Sequence, residues 1–470
     1  MKVCIVCEGS YPYVSGGVAG WVHMMCAENP DVEFTIWSVA TTKEDMHTYK
    51  YELPANVSDV YTIYIGEAFR QQKTRRVKLS PEDRDTLKML ISGSPEEIRW
   101  NQVYSFIKRY RTVLPDIVMS KYFFECCLEI YEKKEMVSAF QEFLWTVRSM
   151  YMPLMAALSG KLPEADVYHA VSTGYAGVLA SCASYVYNKP FLLSEHGIYT
   201  REREEDIIRS DWVAGAYKDL WISFFVKLSA CAYGRASVVT SLFETNRALQ
   251  VELGCPEEKI RVIPNGIDCG RFYLPVPEAP PKKDYFEIGA VLRIVPIKDI
   301  KTMLAAFYRI RQVIPNARLH ILGNNDENPG YYRECVSLAD SLGLRDVVFH
   351  GQVNVSDYMA QFDVLLLTSI SEGQPLSVLE GMAAGKPWVC TNVGDCKGLL
   401  YGNDEFGDAG IVVPVMNGEE IAKAVIYLHD HPELMLRMGR NGQKRAEKYY
   451  GKEQFLTAFR QLYRELGGEV

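Results

Sequence analysis

The sequence predicts an α/β protein of two doubly wound domains that face a cleft, with a helical insertion in the first domain. Three observations predict this class. The chain has 470 residues, and a single hydrophobic core rarely grows beyond about 250 to 300 residues. Strand and helix patterns alternate toward both ends of the chain, as in parallel sheets covered by helices. From about residue 70 to 162 long helical periods, rich in charged and aromatic residues, replace that alternation.

The first domain opens with a turn that carries two adjacent glycines, Gly16 and Gly17. Apolar patterns predict a helix directly after this turn and strands around it: a helix over 17–28 and strands over 2–7, 33–39 and 60–65. Paired glycines let a backbone approach a ligand closely, and a helix N-terminus attracts anions. We therefore expect Gly16 and Gly17 to line a binding site, with a hinge turn as the alternative.

Two histidines follow the insertion, where strands are predicted over residues 166–170 and 191–193. His196 comes just after the second strand, at the edge where open α/β sheets bind ligands. We expect this histidine to be exposed and functional, with a structural histidine as the alternative. His169 lies within the first strand, and two interpretations of it stay open: a substrate contact, or a core histidine whose hydrogen bonds are satisfied.

Two cations bracket a strand-to-helix turn at the start of the second domain. Arg293 follows a predicted strand, and Lys298 precedes a helix predicted to run to about residue 313. A guanidinium offers a directional fork and an ammonium a point charge. The two side chains are therefore predicted to close on a pyrophosphate from one side; ordinary surface cations are the alternative.

The stretch from residue 363 to 387 organises the rest of the chain. Residues 363–368 predict a strand buried on both faces. Pro375 fits the first position of a following helix, and Gly385 fits its end. Glu372 then lies in the turn, and Glu380 lies on the order of 8 Å beyond the helix start.

The start of this helix is a predicted anion site. The first N–H groups of a helix have no intrahelical partner and lie at the positive end of its dipole. Here they belong to Leu376, Ser377 and Val378. A carboxylate, an anion site and a second carboxylate in line suit a sugar, a diphosphate and a ribose in line. An ordinary strand–helix unit with two surface glutamates remains the alternative for this segment alone.

Composition argues against several other classes. The net charge of −8 disfavours a polyanion partner such as nucleic acid. No apolar run reaches the roughly 18 residues needed to span a bilayer, and the first residues are too short an apolar stretch for a signal peptide. The 12 cysteines are scattered, which suits a reducing compartment, so we expect a cytoplasmic protein. Asp83-Arg84-Asp85 opens a predicted helix, where the helix dipole explains the acids better than a metal does.

Several of these motifs resemble one family. Glu372 and Glu380 stand as E-x7-E, Arg293 and Lys298 as R-x4-K, and residues 264–268 read Pro-Asn-Gly-Ile-Asp. In this order, with the Gly-Gly turn at the front, they resemble the retaining glycosyltransferases of family GT4, which have the GT-B fold of two Rossmann-like domains. The resemblance covers most of the chain outside residues 70–162.

The resemblance implies a role for each candidate residue. Glu372 would contact donor-sugar hydroxyls, and Glu380 would hold the ribose of a nucleotide diphosphate. Arg293 and Lys298 would stabilise the leaving diphosphate, and His196 would orient the donor sugar. The remaining implied substrate contacts are Gly16, Gly17, His169, Gly373, Gln374, Leu376 and Ser377.

A branch within that family is also suggested. Residues 7–18, residues 195–202 and the helical block resemble the PelF-type glycosyltransferases of Pel exopolysaccharide assembly in biofilms. This implies a hexosyltransferase of the EC 2.4.1 type that moves a hexose, UDP-glucose being the expected donor, to a growing glycan with retention. It also implies neither metal nor other cofactor, and membrane-protein partners that hold a cytoplasmic chain at the inner membrane.

The expected domains are an acceptor-side domain over residues 1–270 with its insertion at about 70–162, and a nucleotide-sugar domain over 271–450. A last helix over 451–470 is expected to cross back to the first domain. Two alternatives remain for the function. The chain could be a catalytically silent nucleotide-sugar-binding subunit of a membrane polysaccharide synthase, or a glycan phosphorylase, which is disfavoured because nothing resembles a pyridoxal-phosphate lysine site.

Overall fold

The computed structural model describes residues 1–42, 48–70, 75–133 and 138–468. The chain forms two compact units. Unit 1 comprises Met1–Ile263 and the chain from Phe459 onward, and unit 2 comprises Pro264–Ala458. Within the described ranges, no helix is both long and apolar enough to cross a bilayer.

Unit 1 is built on a parallel sheet. In chain order its elements are β1 Lys2–Glu8, α1 Gly17–Ala27, β2 Glu33–Ala40, β3 Val57–Tyr64, α2 Pro81–Ser92, α3 Trp100–Tyr110, α4 Leu114–Val118, α5 Lys121–Lys133, α6 Phe140–Ser159, β4 Val167–Ala170, α7 Tyr175–Tyr187, β5 Phe191–Ser194, α8 Tyr199–Arg209, α9 Lys218–Arg235, β6 Val238–Ser241, α10 Glu244–Glu252 and β7 Ile260–Val262. The strand order is β3-β2-β1-β4-β5-β6-β7. The order reverses between β1 and β4, and such a switch point opens a crevice at the carboxyl ends of the strands.

The segment between β3 and β4 is helical where the structure describes it, from α2 to α6. Ser80 is the N-cap residue of α2, since its hydroxyl accepts a hydrogen bond from the N–H of Asp83 at 3.1 Å. The Asp83 carboxylate is nearly buried and is bound by Arg109 at 2.9 Å and by the Tyr110 hydroxyl at 2.8 Å. The acid that mimics a metal motif is therefore used in packing the helices.

Unit 2 carries a second parallel sheet. Its elements are α11 Cys269–Phe272, β8 Phe286–Val291, α12 Ile300–Val313, β9 Ala317–Leu322, α13 Pro329–Ser341, β10 Val347–Gly351, α14 Ser356–Met359, β11 Val364–Leu367, α15 Leu376–Ala383, β12 Trp388–Thr391, α16 Cys396–Tyr401, β13 Gly410–Val413, α17 Gly418–Asp430, α18 Pro432–Tyr449 and α19 Lys452–Gly467. The strand order is β10-β9-β8-β11-β12-β13. All four residues of β11 are buried, as expected for a central strand covered on both faces.

The division between the units falls within α19, because Ala458 ends unit 2 and Phe459 returns to unit 1. In unit 1, Arg460 of this helix donates to the carbonyl of Glu28 at 2.8 Å and to the side chain of Asn29 at 3.0 Å. In unit 2, the backbone of Ile267 pairs with the segment that precedes the helix. The chain therefore contributes one continuous helix to both units.

Candidate active site

In unit 2 the predicted residues lie on two loops at the switch point between β8 and β11. The loop after β8 carries Arg293 and ends in a short 3₁₀ turn at Lys298. The loop after β11 is fixed against it, because the Thr368 hydroxyl donates to the Lys298 carbonyl at 3.0 Å and the Ile370 N–H donates to the Ile297 carbonyl at 2.8 Å. The sheet therefore brings the predicted pyrophosphate cations and Glu372 to one edge.

Glu372 and Lys298 form an ion pair in the described structure. Both side chains are largely shielded, with relative exposures of 11% and 15%. The Ser369 hydroxyl donates to the same carboxylate at 2.6 Å. Because a shielded pair is screened less than a surface pair, the carboxylate and the ammonium hold each other in a defined position.

Arg293 has a different environment. Its guanidinium pairs with Glu327 at 2.6 Å, and the two side chains are 50% and 44% exposed. Exposed ion pairs of this kind contribute only about 0–1 kcal/mol to the stability of a protein. Arg293 can therefore exchange Glu327 for another anion at little energetic cost.

The helix start differs from the prediction in two details. Helix α15 begins at Leu376, and Pro375 is its N-cap residue rather than its first helical residue. The N–H of Val378 is not free, since it donates to the Pro375 carbonyl at 3.1 Å. The tighter first turn uses one of the three predicted anion donors and leaves the prediction resting on Leu376 and Ser377. Gly385 ends the helix as expected, with φ at 69°.

Glu380 lies in the middle of α15 and is partly buried. Burial raises the pKa of this carboxyl to about 7, and Arg271 offsets part of that effect. The ordinary value for a glutamic acid is about 4.3. Glu380 therefore changes its charge near neutral pH.

The Gln374 side chain, predicted to contact substrate, is bound within the protein. It is 5% exposed. Its carbonyl oxygen accepts from the Asn265 N–H at 2.7 Å, and its amide nitrogen donates to Asp395 at 2.7 Å. Both ends of the amide are therefore bound to protein groups, which argues against the predicted contact between this side chain and the substrate.

In unit 1, Gly16 and Gly17 start α1, and both are exposed. Gly16 has an extended backbone that any residue adopts, with φ at 172°. A Cβ at either position would meet nothing within 4 Å. Neither backbone strain nor protein packing therefore requires glycine here, and the space beside the helix start is open.

His169 is completely buried on β4. Its Nδ1 lies 2.7 Å from the Tyr463 hydroxyl, and its Nε2 lies 2.7 Å from the Ser194 hydroxyl. Both ring nitrogens are occupied by protein groups. This geometry favours the core histidine over the substrate contact.

His196 is partly buried rather than exposed as predicted. Its ring packs edge-on against Trp21, with 4.7 Å between ring centroids. Burial lowers the pKa of His196 to about 4, so the imidazole is neutral at physiological pH. Its Nε2 has no hydrogen-bond partner among the residues that the structure describes. This nitrogen is itself buried, and a neutral imidazole nitrogen can donate to or accept from a hydroxyl group.

Three residues of this region were missed as site residues. Ser369 binds Glu372, and Asn265 and Asp395 bind Gln374. A Thr-Ser pair directly after a buried strand is a usable signal for Ser369. In the sequence, Asn265 belongs to a Pro-Asn-Gly stretch that is typical of a tight turn, and nothing in the sequence pairs Asp395 with Gln374. Over the described parts of the chain, no three His, Cys, Asp or Glu side chains are grouped to hold a metal ion.

The fold and this site define a class of protein: two parallel-sheet Rossmann-like α/β units of the GT-B class. Residues 285–431 match the family described as Glycosyl transferases group 1. Residues 1–258 match the family described as Domain of unknown function, DUF3492. The second match spans more than half of the chain, so this protein belongs to the DUF3492 family.

Two curated relatives are similar to this chain in sequence. The chain is 24% identical over 301 residues to MMP alpha-(1->4)-mannosyltransferase of Mycolicibacterium hassiacum, covering 62% of this chain and 69% of the relative. It is 27% identical over 237 residues to N-acetyl-alpha-D-glucosaminyl L-malate synthase of Bacillus anthracis, covering 49% of this chain and 60% of the relative.

A solved structure covers nearly the whole chain. Anabaena HepE, crystallised in complex with UDP, has a TM-score of 0.62 at 15% identity and covers 99% of this chain and 100% of its own. HepE has also been crystallised with UDP-glucose. At this identity the likeness shows the fold alone, and it confirms the predicted GT-B class.

Proposed function

We propose that this protein is a retaining glycosyltransferase that moves a hexose from a UDP-sugar, with UDP-glucose as the expected donor, to a growing glycan. The observation that carries the proposal is the shielded pair of Lys298 and Glu372 at the switch point of unit 2. The pair supports the proposal, because an ammonium is suited to a diphosphate and a carboxylate is suited to sugar hydroxyls.

The surrounding geometry supports the donor assignment. Glu372 precedes the start of α15, and Glu380 lies further along the same helix. An anion at the helix start would thus lie between two carboxylates. UDP in HepE, and the mannosyl and N-acetylglucosaminyl products named for the two relatives, belong to the same chemistry.

The proposed reaction takes place on one face of the donor sugar. The bond between the anomeric carbon and the diphosphate oxygen breaks, the acceptor oxygen bonds to that carbon from the same side, and the leaving diphosphate takes the acceptor proton. Lys298, Arg293 and the backbone N–H groups at Leu376 and Ser377 stabilise the charge that develops on the diphosphate. Such preorganised electrostatic stabilisation is commonly the largest catalytic contribution.

Two features of unit 1, taken by itself, are suited to ligand binding. The open space at Gly16 and Gly17 allows close approach of a phosphate to the start of α1. The unpaired Nε2 of His196 is suited to a donor-sugar hydroxyl. We further propose that the chain is of the PelF type, with an exopolysaccharide acceptor, membrane-protein partners at the inner membrane and neither metal nor cofactor.

The test is incubation of the full chain with a panel of UDP-sugars and an oligosaccharide acceptor. UDP release together with an α-linked product from an α-linked donor, identified by NMR, is the expected result. UDP binding measured by calorimetry without release from any donor would instead favour the silent nucleotide-sugar-binding subunit. Breakdown of glycan that depends on inorganic phosphate would favour a phosphorylase.

A further inference from the structure

The buried amide of Gln374 connects three separate segments of unit 2. One is the turn that carries Glu372, the second is the Pro-Asn-Gly corner at Asn265, and the third is the loop after β12 that carries Asp395. Gln374 is 5% exposed and Asn265 is 6% exposed. The amide is therefore too buried to contact a ligand directly. It can affect a bound ligand only through the backbone that it holds.

The bonding pattern fixes the orientation of the amide without ambiguity. The Asn265 N–H can only donate, so it must face the oxygen of the Gln374 side chain at 2.7 Å. The Asp395 carboxylate accepts from the amide nitrogen at 2.7 Å. A carboxylate or a hydroxyl in place of this amide cannot satisfy both neighbours in the same way.

The backbone of the same turn is held from both sides. The Asn265 side chain donates to the Gln374 carbonyl at 3.3 Å, and the Asp395 N–H donates to the Gly373 carbonyl at 2.9 Å. Gly394, with φ at 50°, packs so closely that a Cβ would overlap the carbonyl oxygen of Gly373. The turn between Glu372 and α15 is thus clamped by hydrogen bonds and by contact.

From this geometry we infer that Gln374 is a positioning residue for the proposed glycosyl transfer: with Asn265 and Asp395 it holds the turn so that Glu372 meets the donor sugar. The inference rests on the proposed function. Glu372 itself binds only Lys298 and Ser369 among the described side chains, and both of these lie on or against the same loop. Correct placement of the carboxylate therefore depends on the turn beneath it, and small displacements of a reacting group cost catalysis heavily.

The test is Gln374→Glu, which places a carboxyl against Asp395. Two carboxyls at this distance hold the geometry while they share a proton and repel when both are ionised. Among the described residues, Tyr450 also interacts with Asp395. Burial raises the pKa of the Tyr450 hydroxyl, so it stays neutral between pH 5.5 and pH 9. We expect kcat relative to wild type to fall at least tenfold between pH 5.5 and pH 9. A ratio that is flat with pH would overturn the inference.

Two further variants separate positioning from simple damage. Asp395→Asn keeps an acceptor for the Gln374 amide but removes the second carboxyl, so its kcat relative to wild type should not change with pH. Gln374→Glu combined with Asp395→Asn exchanges the donor and the acceptor, so activity should recover and its pH dependence should match wild type. Failure of the double variant to recover, with its fold intact by circular dichroism, would overturn the inference.

If Gln374→Glu does not fold, Gln374→Met takes its place, since methionine keeps the length of the side chain without its hydrogen bonds. A kcat at least tenfold lower with a Kd for UDP within threefold of wild type supports positioning, and an unchanged kcat overturns it. Absence of turnover by the wild-type chain with every UDP-sugar would contradict the proposed function itself, which is a distinct outcome.

Discussion

The two units present their candidate residues in different states. In unit 2 the charged groups are already paired, Lys298 with Glu372 and Arg293 with Glu327. In unit 1, Gly16 and Gly17 face open space, and among the described residues the buried Nε2 of His196 has no hydrogen-bond partner. A ligand that bound these groups of unit 2 would therefore have to displace existing pairs, whereas no such pair occupies the space at Gly16 and Gly17.

This difference bears on the kind of ligand group that each unit, taken by itself, would suit. Shielded ions that pair with each other avoid the cost of an isolated buried charge. In the proposed complex, the diphosphate would replace Glu372 as the partner of Lys298, and sugar hydroxyls would replace Lys298 as the partner of Glu372. A neutral imidazole carries no such charge cost, so His196 can remain unpaired at one nitrogen.

The largest effect is expected from breaking the charged pair. Lys298→Met should lower kcat by about 10²- to 10³-fold, because the diphosphate loses a preorganised cation and Glu372 is left without its ion-pair partner. The measurement is UDP release at saturating donor. Lys301→Met is the matched control, since Lys301 on α12 forms an exposed pair with Glu334 on α13, and its turnover should match wild type. Near wild-type turnover by Lys298→Met would contradict the assigned role.

The ion pair between Lys298 and Glu372 could not be predicted from the sequence. The doubly wound order and the placement of Lys298 and Glu372 after two strands could be predicted, because parallel sheets gather the carboxyl ends of their strands at one edge. Their contact joins residues 74 positions apart. Deciding how two side chains pair requires the packing of the loops, which local patterns do not specify.

The two histidines illustrate the same limit. His169 lies on β4 and His196 follows β5, both in unit 1. From the sequence alone, His169 has two interpretations. The partner that decides between them, Tyr463, lies 294 positions later in the chain. His196 was predicted to be exposed because a His-Gly pair after a strand is typical of a loop, but Trp21 covers its ring.

Exchanging these histidines for alanine should separate stability from function. His196→Ala should lower kcat by about 10²-fold through a misplaced donor sugar, with little change in melting temperature. His169→Ala should instead destabilise the protein by about 1–3 kcal/mol, because it leaves buried hydroxyls of Tyr463 and Ser194 without a partner. Activity assays and thermal melts of both variants check the contrast. Equal effects of the two variants on both quantities would remove the distinction between the two positions.

A moderate effect is expected from the pH dependence of donor binding. Burial raises the pKa of Glu380 to about 7, so lowering the pH protonates the carboxylate that would accept ribose hydroxyls. Affinity for UDP-glucose should then fall by up to about tenfold per pH unit below that value. UDP-glucose is the probe because its diphosphate diester does not titrate between pH 6 and 8. Calorimetry over this range should show the slope in wild type and none in Glu380→Gln.

The same shift has a consequence for stability whose sign is fixed by linkage. Because the folded pKa lies above the unfolded one, the folded state binds the proton more tightly. The contribution of Glu380 to stability is therefore greatest below about pH 4.3 and is lost as pH rises toward 7. Glu380→Gln should flatten this part of the stability profile in chemical denaturation. A steeper profile in the variant would show that the sign is wrong.

The smallest effect is expected from removing divalent metal ions. If Arg293, Lys298 and the start of α15 supply the positive charge for the leaving diphosphate, a chelator should change turnover by less than about twofold, because preorganised protein cations then occupy the role that a metal ion has in other active sites. The comparison is turnover in excess EDTA against turnover in added Mg²⁺ or Mn²⁺, with Lys298→Met tested alongside. Loss of wild-type activity in chelator and its return with either ion would show that the paired charges of unit 2 do not suffice, and that a metal completes the site.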